Sequence, residues 1–261
     1  MAWQPQQYLQ YAGERLRPAV DLLARIPLAN PRTIVDLGCG AGNVTKLLGE
    51  RWPDASIVGV DNSPEMLEQA RVATANDSRY QFVAADLADW RPDAPVDLLY
   101  SNAALHWLPD HARLFPRVAK MVAKDGVLAV QMPDNFRAPS HTSIADIARS
   151  DRWRQKLSSI VRDPPVAAAA QCLSWLSPLV TSIDIWSTEY LQVLPPRADG
   201  EHPVAAWTKG TWLVPILAAL NEGERGEFLR EYMSRLALAY PSQEDGRTLF
   251  PFRRVFIIAN R

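Results

Sequence analysis

Three apolar, β-branched runs recur early in the chain, and each closes on an acid: "TIVD", "SIVGVD" and "YQFVAAD". The acids are Asp36, Asp61 and Asp86, spaced 25 residues apart. A strand, a helix and two short turns fill such a period. Repeating that unit gives a parallel sheet with crossover helices, because each helix carries the chain back before the next strand starts. The spacing therefore predicts three carboxylates at the C-terminal edge of one sheet, where open α/β folds bind ligands. The intervening segments suit helices. In "SPEMLEQARVATA", Ser63 is placed as an N-cap and Pro64 at the first helical position, with Glu65 in the first turn. "VDLLYSN" and "GVLAVQM" read as the fourth and fifth strands, and "HARLFPRVAKMVAKDG" as a helix ending near Gly126.

Outside this repeat, "RPAVDLLARIPL" has apolar residues at helical spacing. Beyond Pro133, "PSHTSIADIARSDRWRQKLSSIV" reads as helical, "SIDIWSTEYLQVL" as a long strand and "FRRVFIIANR" as a final strand. The block at about 200–242 reads as a helical insertion between the last two strands and is expected to cap the sheet edge, since it exceeds ordinary connection lengths. One domain spanning 1–261 is expected, with residues 33–132 as its cofactor-binding core. Hydrophobic residues at 48% suffice for a large core, and a net charge of −1 gives no general attraction to nucleic acid or anionic membrane. No apolar run approaches the roughly 20 residues that span a bilayer. The N-terminal stretch is polar, with no apolar core of signal-peptide type. Two distant cysteines, Cys39 and Cys172, suit a reducing cytoplasm and no disulfide or metal site. A monomer is expected.

After the first run the chain reads "VDLGCGAGN". Three glycines in five residues permit a tight strand-to-helix turn whose backbone approaches a ligand. Asp61, 21 residues after Gly40, can accept hydrogen bonds from ribose hydroxyls. A nicotinamide dinucleotide would use the same parts. Three details favour S-adenosylmethionine. The glycines are spaced G-x-G-x-G. Asp36 stands just before them, where it would repel a pyrophosphate but can meet an ammonium group. Asp86 ends the third run, where it can accept from the adenine amino group beside the Leu87 amide. The loop positions Gly38, Cys39, Gly40 and Asn43 complete the expected cofactor contacts.

These motifs resemble those of the class I S-adenosylmethionine-dependent methyltransferases: "VDLGCGAGN", "GVDNSPEML" and "FVAADLADW", within residues 33–132. The resemblance implies a Rossmann-like α/β sheet, mostly parallel with its last strand antiparallel, flanked by helices. It also implies that Asn62 and Met66 flank the adenosine and that Asn102 lies along the methionine portion. A second resemblance covers nearly the whole chain. "WQPQQYL", "RPAVDLLARIPL", "HWLPDH", "LAVQMPDN" and "FRRVFI" are similar to segments of the trans-aconitate 2-methyltransferase family. That implies methyl ester formation on a small carboxylic acid, with S-adenosylhomocysteine as the cofactor product. Two departures lie in "KGTWLVP", with Trp212 where the family has glycine and Val214 where it has arginine, and His106 replaces a frequent glutamine. A more apolar wall follows, so another small acid or a hydroxyl compound is the alternative acceptor. A nicotinamide-dependent oxidoreductase and a non-catalytic cofactor-binding regulator are the alternatives of other classes.

Methyl transfer to a carboxylate needs no general base, because the nucleophile is already ionised. No triad or metal spacing is present in the sequence. Were a base required, His106 and His141 are the candidates. Tyr8 and Arg17 are expected to meet the cofactor from the N-terminal segment, with Tyr11 beside Tyr8. An anionic acceptor calls for cations, and arginine suits carboxylates best. Arg17, Arg137, Lys209, Arg253 and Arg254 are available. Arg253 and Arg254 are neighbours on a strand, so only one can point inward. The expected acceptor site combines Arg253 with Trp107, His141, Trp207 and Trp212.

Overall fold

Strand pairing follows the apolar runs. The computed structural model describes residues 12–75, 77–161 and 164–261. Helix α1 (Ala12–Ala24) leads to β1 (Thr33–Leu37), α2 (Asn43–Arg51), β2 (Ser56–Asp61), α3 (Pro64–Ala73) and β3 (Tyr80–Ala84). Then come β4 (Val96–Asn102), a 3₁₀ turn (Leu105–Trp107), α4 (His111–Lys120) and β5 (Val122–Pro133). Helices α5 (Pro139–Arg149), α6 (Arg154–Leu157) and α7 (Ala169–Leu176) precede β6 (Ser182–Leu194). The chain ends with α8 (Pro203–Lys209), α9 (Val214–Ala218), α10 (Glu222–Ala239) and β7 (Thr248–Asn260).

The strands form one seven-stranded sheet in the order β3-β2-β1-β4-β5-β7-β6. The pairs among β1 to β5 are parallel, and β7 runs antiparallel to β5. Two compact units divide the chain. The sheet unit comprises Gly13–Pro133, Pro165–Ser187 and Arg254–Arg261, and the helical unit includes Asp134–Pro164 and Thr188–Arg253. In the sheet unit, Val35, Leu99, Leu128, Val130 and Ile257 share a core cluster with Phe115 of α4 and Leu176 of α7. On the opposite face, the Tyr100 hydroxyl donates to the Ala19 carbonyl of α1 at 2.9 Å. Ser63 caps α3 as expected, its Oγ accepting from the Met66 amide, and Pro64 opens that helix.

Two boundaries differ from the sequence reading. Helix α4 stops at Lys120, well before Gly126, and β5 begins at Val122. Val122 pairs with Val96 across a register shift, and Asp125 has φ 64°. A β-branched residue facing a partner strand and a residue in the left-handed region both oppose helix continuation. Strand β3 stops at Ala84, so Asp86 lies two residues beyond it, in a turn.

In the helical unit, α8 to α10 fall between β6 and β7. Helix α10 starts with a capping box: Asn221 Oδ1 accepts from the Glu224 amide, and Glu224 Oε2 accepts from the Asn221 amide. Its buried side, Phe228, Tyr232 and Leu236, joins Ile144, Ile147, Trp207 and Phe250 in one apolar core. The buried Tyr232 hydroxyl donates to the Ser140 carbonyl at 2.7 Å and lies 3.2 Å from Thr208 Oγ1. Tyr232→Phe leaves that carbonyl without this donor and is expected to reduce stability by about 1–2 kcal/mol. Urea denaturation checks this, and an unchanged midpoint would remove the tyrosine from the account of how α10 is held.

Candidate functional site

The glycine turn joins β1 to α2, and most of its amides are committed within the protein. The amides of Gly38 and Cys39 donate to the Val60 carbonyl, at 2.8 and 3.1 Å, and that of Gly42 to the Cys39 carbonyl at 3.0 Å. The Gly40 amide donates to Asp61 Oδ2 at 3.0 Å. These bonds leave fewer of the turn's own amides free to face a phosphate. Gly38 and Gly40 have positive φ for different reasons. A Cβ on Gly38 would come within 2.1 Å of Ala104 Cβ, so close packing demands glycine there. Among the described residues, a Cβ on Gly40 would meet nothing within 4 Å, so its Cα edge is open on that side.

Asp61 ends β2 with both oxygens in use, since Oδ1 also accepts from the Ser63 amide at 2.9 Å. Each carboxylate oxygen can take a second donor, so capacity for two ligand hydroxyls remains. Asp36 is 1% exposed, and its Oδ2 accepts from Thr45 Oγ1 at 2.6 Å. Burial, opposed by that hydrogen bond and aided by the charge of Asp61, pushes its carboxyl up to about 7. Asp86 is exposed, and its Oδ1 accepts from the Ala88 amide. The Arg117 guanidinium donates to the carbonyls of Leu87 and Trp90, which holds this turn. Asn43 and Asn62 are exposed, whereas Met66 is 2% exposed and packed. The Cys39 thiol is buried, which with the two acids drives its ionisation far upward and makes it inert.

At the end of β4, Asn102 has a buried Oδ1 without a hydrogen-bond partner. Beyond it, His106 is 5% exposed, and burial with the nearby charges of Arg254 and His111 lowers it to about 3. It stays neutral and too weak a base for proton abstraction at neutral pH. The Trp107 ring lies 4.6 Å from that of His106 and is 42% exposed. Arg17 is exposed on α1, and Tyr8 and Tyr11 lie outside the described residues.

The helical unit holds the other expected acceptor contacts. His141, Trp212 and Phe136 form an aromatic cluster with ring separations of 5.0–5.5 Å. Burial lowers His141 to about 4, and its Nδ1 lies 3.0 Å from Ser140 Oγ. Trp207 does not join this cluster. It is 4% exposed, with its ring edge-on to Phe250, and serves the apolar core. Arg253 is exposed and pairs with Asp134 at 3.1 Å, while Arg254 is the buried member of the pair, because alternation on β7 turns them to opposite faces. The sequence reading also passed over Gln131 on β5, a fully buried amide. Its signal was present: one polar residue inside the otherwise apolar run "GVLAVQM".

An open glycine edge, an acid at the end of β2 and a buried acid before the glycines suit a cationic, hydroxylated nucleoside cofactor. With a sheet that is parallel except at β7, they define a class I methyltransferase, and a family profile described as a methyltransferase domain matches residues 34–126. The chain is 47% identical to a trans-aconitate 2-methyltransferase of Streptomyces coelicolor, over 99% of this chain and 86% of the relative. It is 46% identical to the Streptomyces avermitilis trans-aconitate 2-methyltransferase, over 100% of this chain and 97% of the relative. A solved phosphoethanolamine N-methyltransferase 2 of Haemonchus contortus, in complex with S-adenosylhomocysteine, shares the fold with a TM-score of 0.55 at 16% identity. That match covers 94% of this chain and about half, 52%, of the larger enzyme. The chain belongs to the trans-aconitate 2-methyltransferase family.

Two expectations follow from the geometry. Gly40→Ala places a methyl group in the free space, so it is expected to weaken cofactor binding by about tenfold or more, beyond the roughly 1 kcal/mol strain of its positive φ. Gly38→Ala should chiefly lower stability, by about 1–3 kcal/mol, through overpacking against Ala104. Calorimetry and urea melts separate the two, and equal stability losses would contradict the assignment. The second concerns pH. Because Asp36 holds its proton more tightly in the folded state, its contribution is full only below about pH 4 and is lost progressively as pH rises through about 7. Without ligand, stability relative to Asp36→Asn should fall by at most about 1.4 kcal/mol per pH unit across that window. Parallel pH profiles of the two proteins would refute it.

Proposed function

We propose that the chain transfers a methyl group from S-adenosylmethionine to a carboxylate of trans-aconitate, giving the monomethyl ester and S-adenosylhomocysteine. The observation that carries this reading is the extent of kinship: the alignments to proteins of that name, at 46% and 47% overall identity, cover 99–100% of the chain and so include the helical unit. Asp61 receives the ribose hydroxyls, and Asp36 meets the ammonium group of the methionine portion. Asp86 and the Leu87 amide face the adenine, and Asn102 offers its unpartnered Oδ1 to the methionine portion. The loop from Gly38 to Asn43 passes beneath, with Gly40 leaving room. Two buried free thiols suit a cytoplasmic enzyme, and no helix among the described residues is long and apolar enough to cross a membrane.

When bound, S-adenosylmethionine supplies an electrophilic methyl group. The acceptor carboxylate is ionised at pH 7, so the protein has no proton to remove. That agrees with His106, which burial keeps neutral and non-basic. The protein's contribution is alignment and exclusion of water, which supply about 7–11 kcal/mol in favourable cases. Incubation with methyl-labelled cofactor and a panel of small acids tests the reading. Trans-aconitate is expected to yield a base-labile labelled ester, with a turnover rate at saturation that is level from about pH 6 to 9. Labelling of hydroxyl compounds alone, or a rate that tracks a histidine-like titration, would overturn it.

A further inference from the structure

The C-terminal edge of the sheet is electrically lopsided. In register, Asp36 faces Gly59 and Tyr100, Asn102 faces Gln131, Gln131 faces Phe256, and Pro133 faces Arg254. Residues paired in register share a face, and so do residues two apart. Asp61, Asp36, Asn102, Gln131 and Arg254 therefore line one face of the sheet, the face on which Tyr100 reaches α1. The row runs from two acids on β2 and β1 to a buried guanidinium on β7, across roughly 19 Å at about 4.8 Å per strand.

Gln131 stands between these poles. It is 0% exposed, and neither its Oε1 nor its Nε2 has a hydrogen-bond partner. Its neighbour in register, Asn102, has a buried Oδ1 in the same condition. An apolar side chain of similar shape would avoid the desolvation penalty of that amide, so folding alone gives no reason for it. A ligand that brings polar atoms does. Arg254, 5% exposed and diagonal to Gln131, brings a guanidinium to the same face, which suits a ligand of negative charge.

We propose that Gln131 and Arg254 form the subsite that receives a carboxylate of the methyl acceptor. Nε2 of Gln131 donates a hydrogen bond to it and the guanidinium neutralises its charge. This rests on the reading of the chain as a carboxyl methyltransferase. The cofactor also carries a carboxylate, but on the same carbon as its ammonium group, which Asp36 holds on β1. Gln131 lies two strands beyond β1 and Arg254 three, about 10 and 14 Å away.

Gln131→Met and Gln131→Glu test the assignment, with kinetics on trans-aconitate, calorimetry of S-adenosylhomocysteine binding, and thermal midpoints of the unliganded proteins. Expected are a KM for the acid raised about tenfold or more, and further for the glutamate variant, with cofactor-product affinity within about twofold of the wild type. The midpoint of Gln131→Met should equal or exceed that of the wild type. An unchanged KM would overturn the proposal. A parallel loss of S-adenosylhomocysteine affinity would also overturn it and assign the amide to the cofactor. If Gln131→Met fails to fold, the isosteric glutamate variant carries the test. If the wild type esterifies a different acid, the reading of the substrate falls and the subsite is judged on that acid. If it esterifies none, both fall.

Discussion

The carboxylate of Asp61 organises the site from which the rest follows. It accepts the amides of Gly40 and Ser63, so one side chain fastens the glycine turn after β1 to the start of α3. That link sets the path of the backbone before any ligand arrives. It also consumes an amide that a phosphate loop would need to keep free, which turns the site toward a nucleoside with hydroxyl and ammonium donors. The open side of Gly40 then lies beside an acid with acceptor capacity to spare.

Burial supplies the second constraint. Asp36 sits under the turn with Thr45 as its hydrogen-bond partner, and burial raises its carboxyl to about 7, so a nearby cation favours its ionised form. At the other end of the sheet edge, Arg254 keeps a positive charge inside the protein. Opposite charges held apart by a rigid sheet give direction to whatever binds across it.

Much of this was legible in the sequence because it depends on short-range order. The 25-residue spacing of Asp36, Asp61 and Asp86, the glycine run and the cap at Ser63 are local features, and the strands and helices they imply are present. Boundaries were less legible where pairing decides them. Helix α4 ends early because Val122 finds a partner in Val96, a residue 26 positions away. Asp86 falls beyond β3 for the same kind of reason: β2 ends at Asp61, opposite Ala84, and leaves nothing further to pair with.

The side chains of the acceptor region divide more sharply. Alternation showed that only one of Arg253 and Arg254 could point inward, but not which one, since a strand has two faces and both can be covered. Tertiary structure chose Arg254 and left Arg253 to Asp134. It likewise sent Trp207 into the apolar core while placing Trp212 beside His141, although the two indoles lie five residues apart. The sequence by itself determined the sheet, the turn and the acids, because backbone conformation and spacing are written locally. Only the tertiary structure decided which cation is buried and which amide is left unpartnered, because burial is a property of everything that packs around a residue.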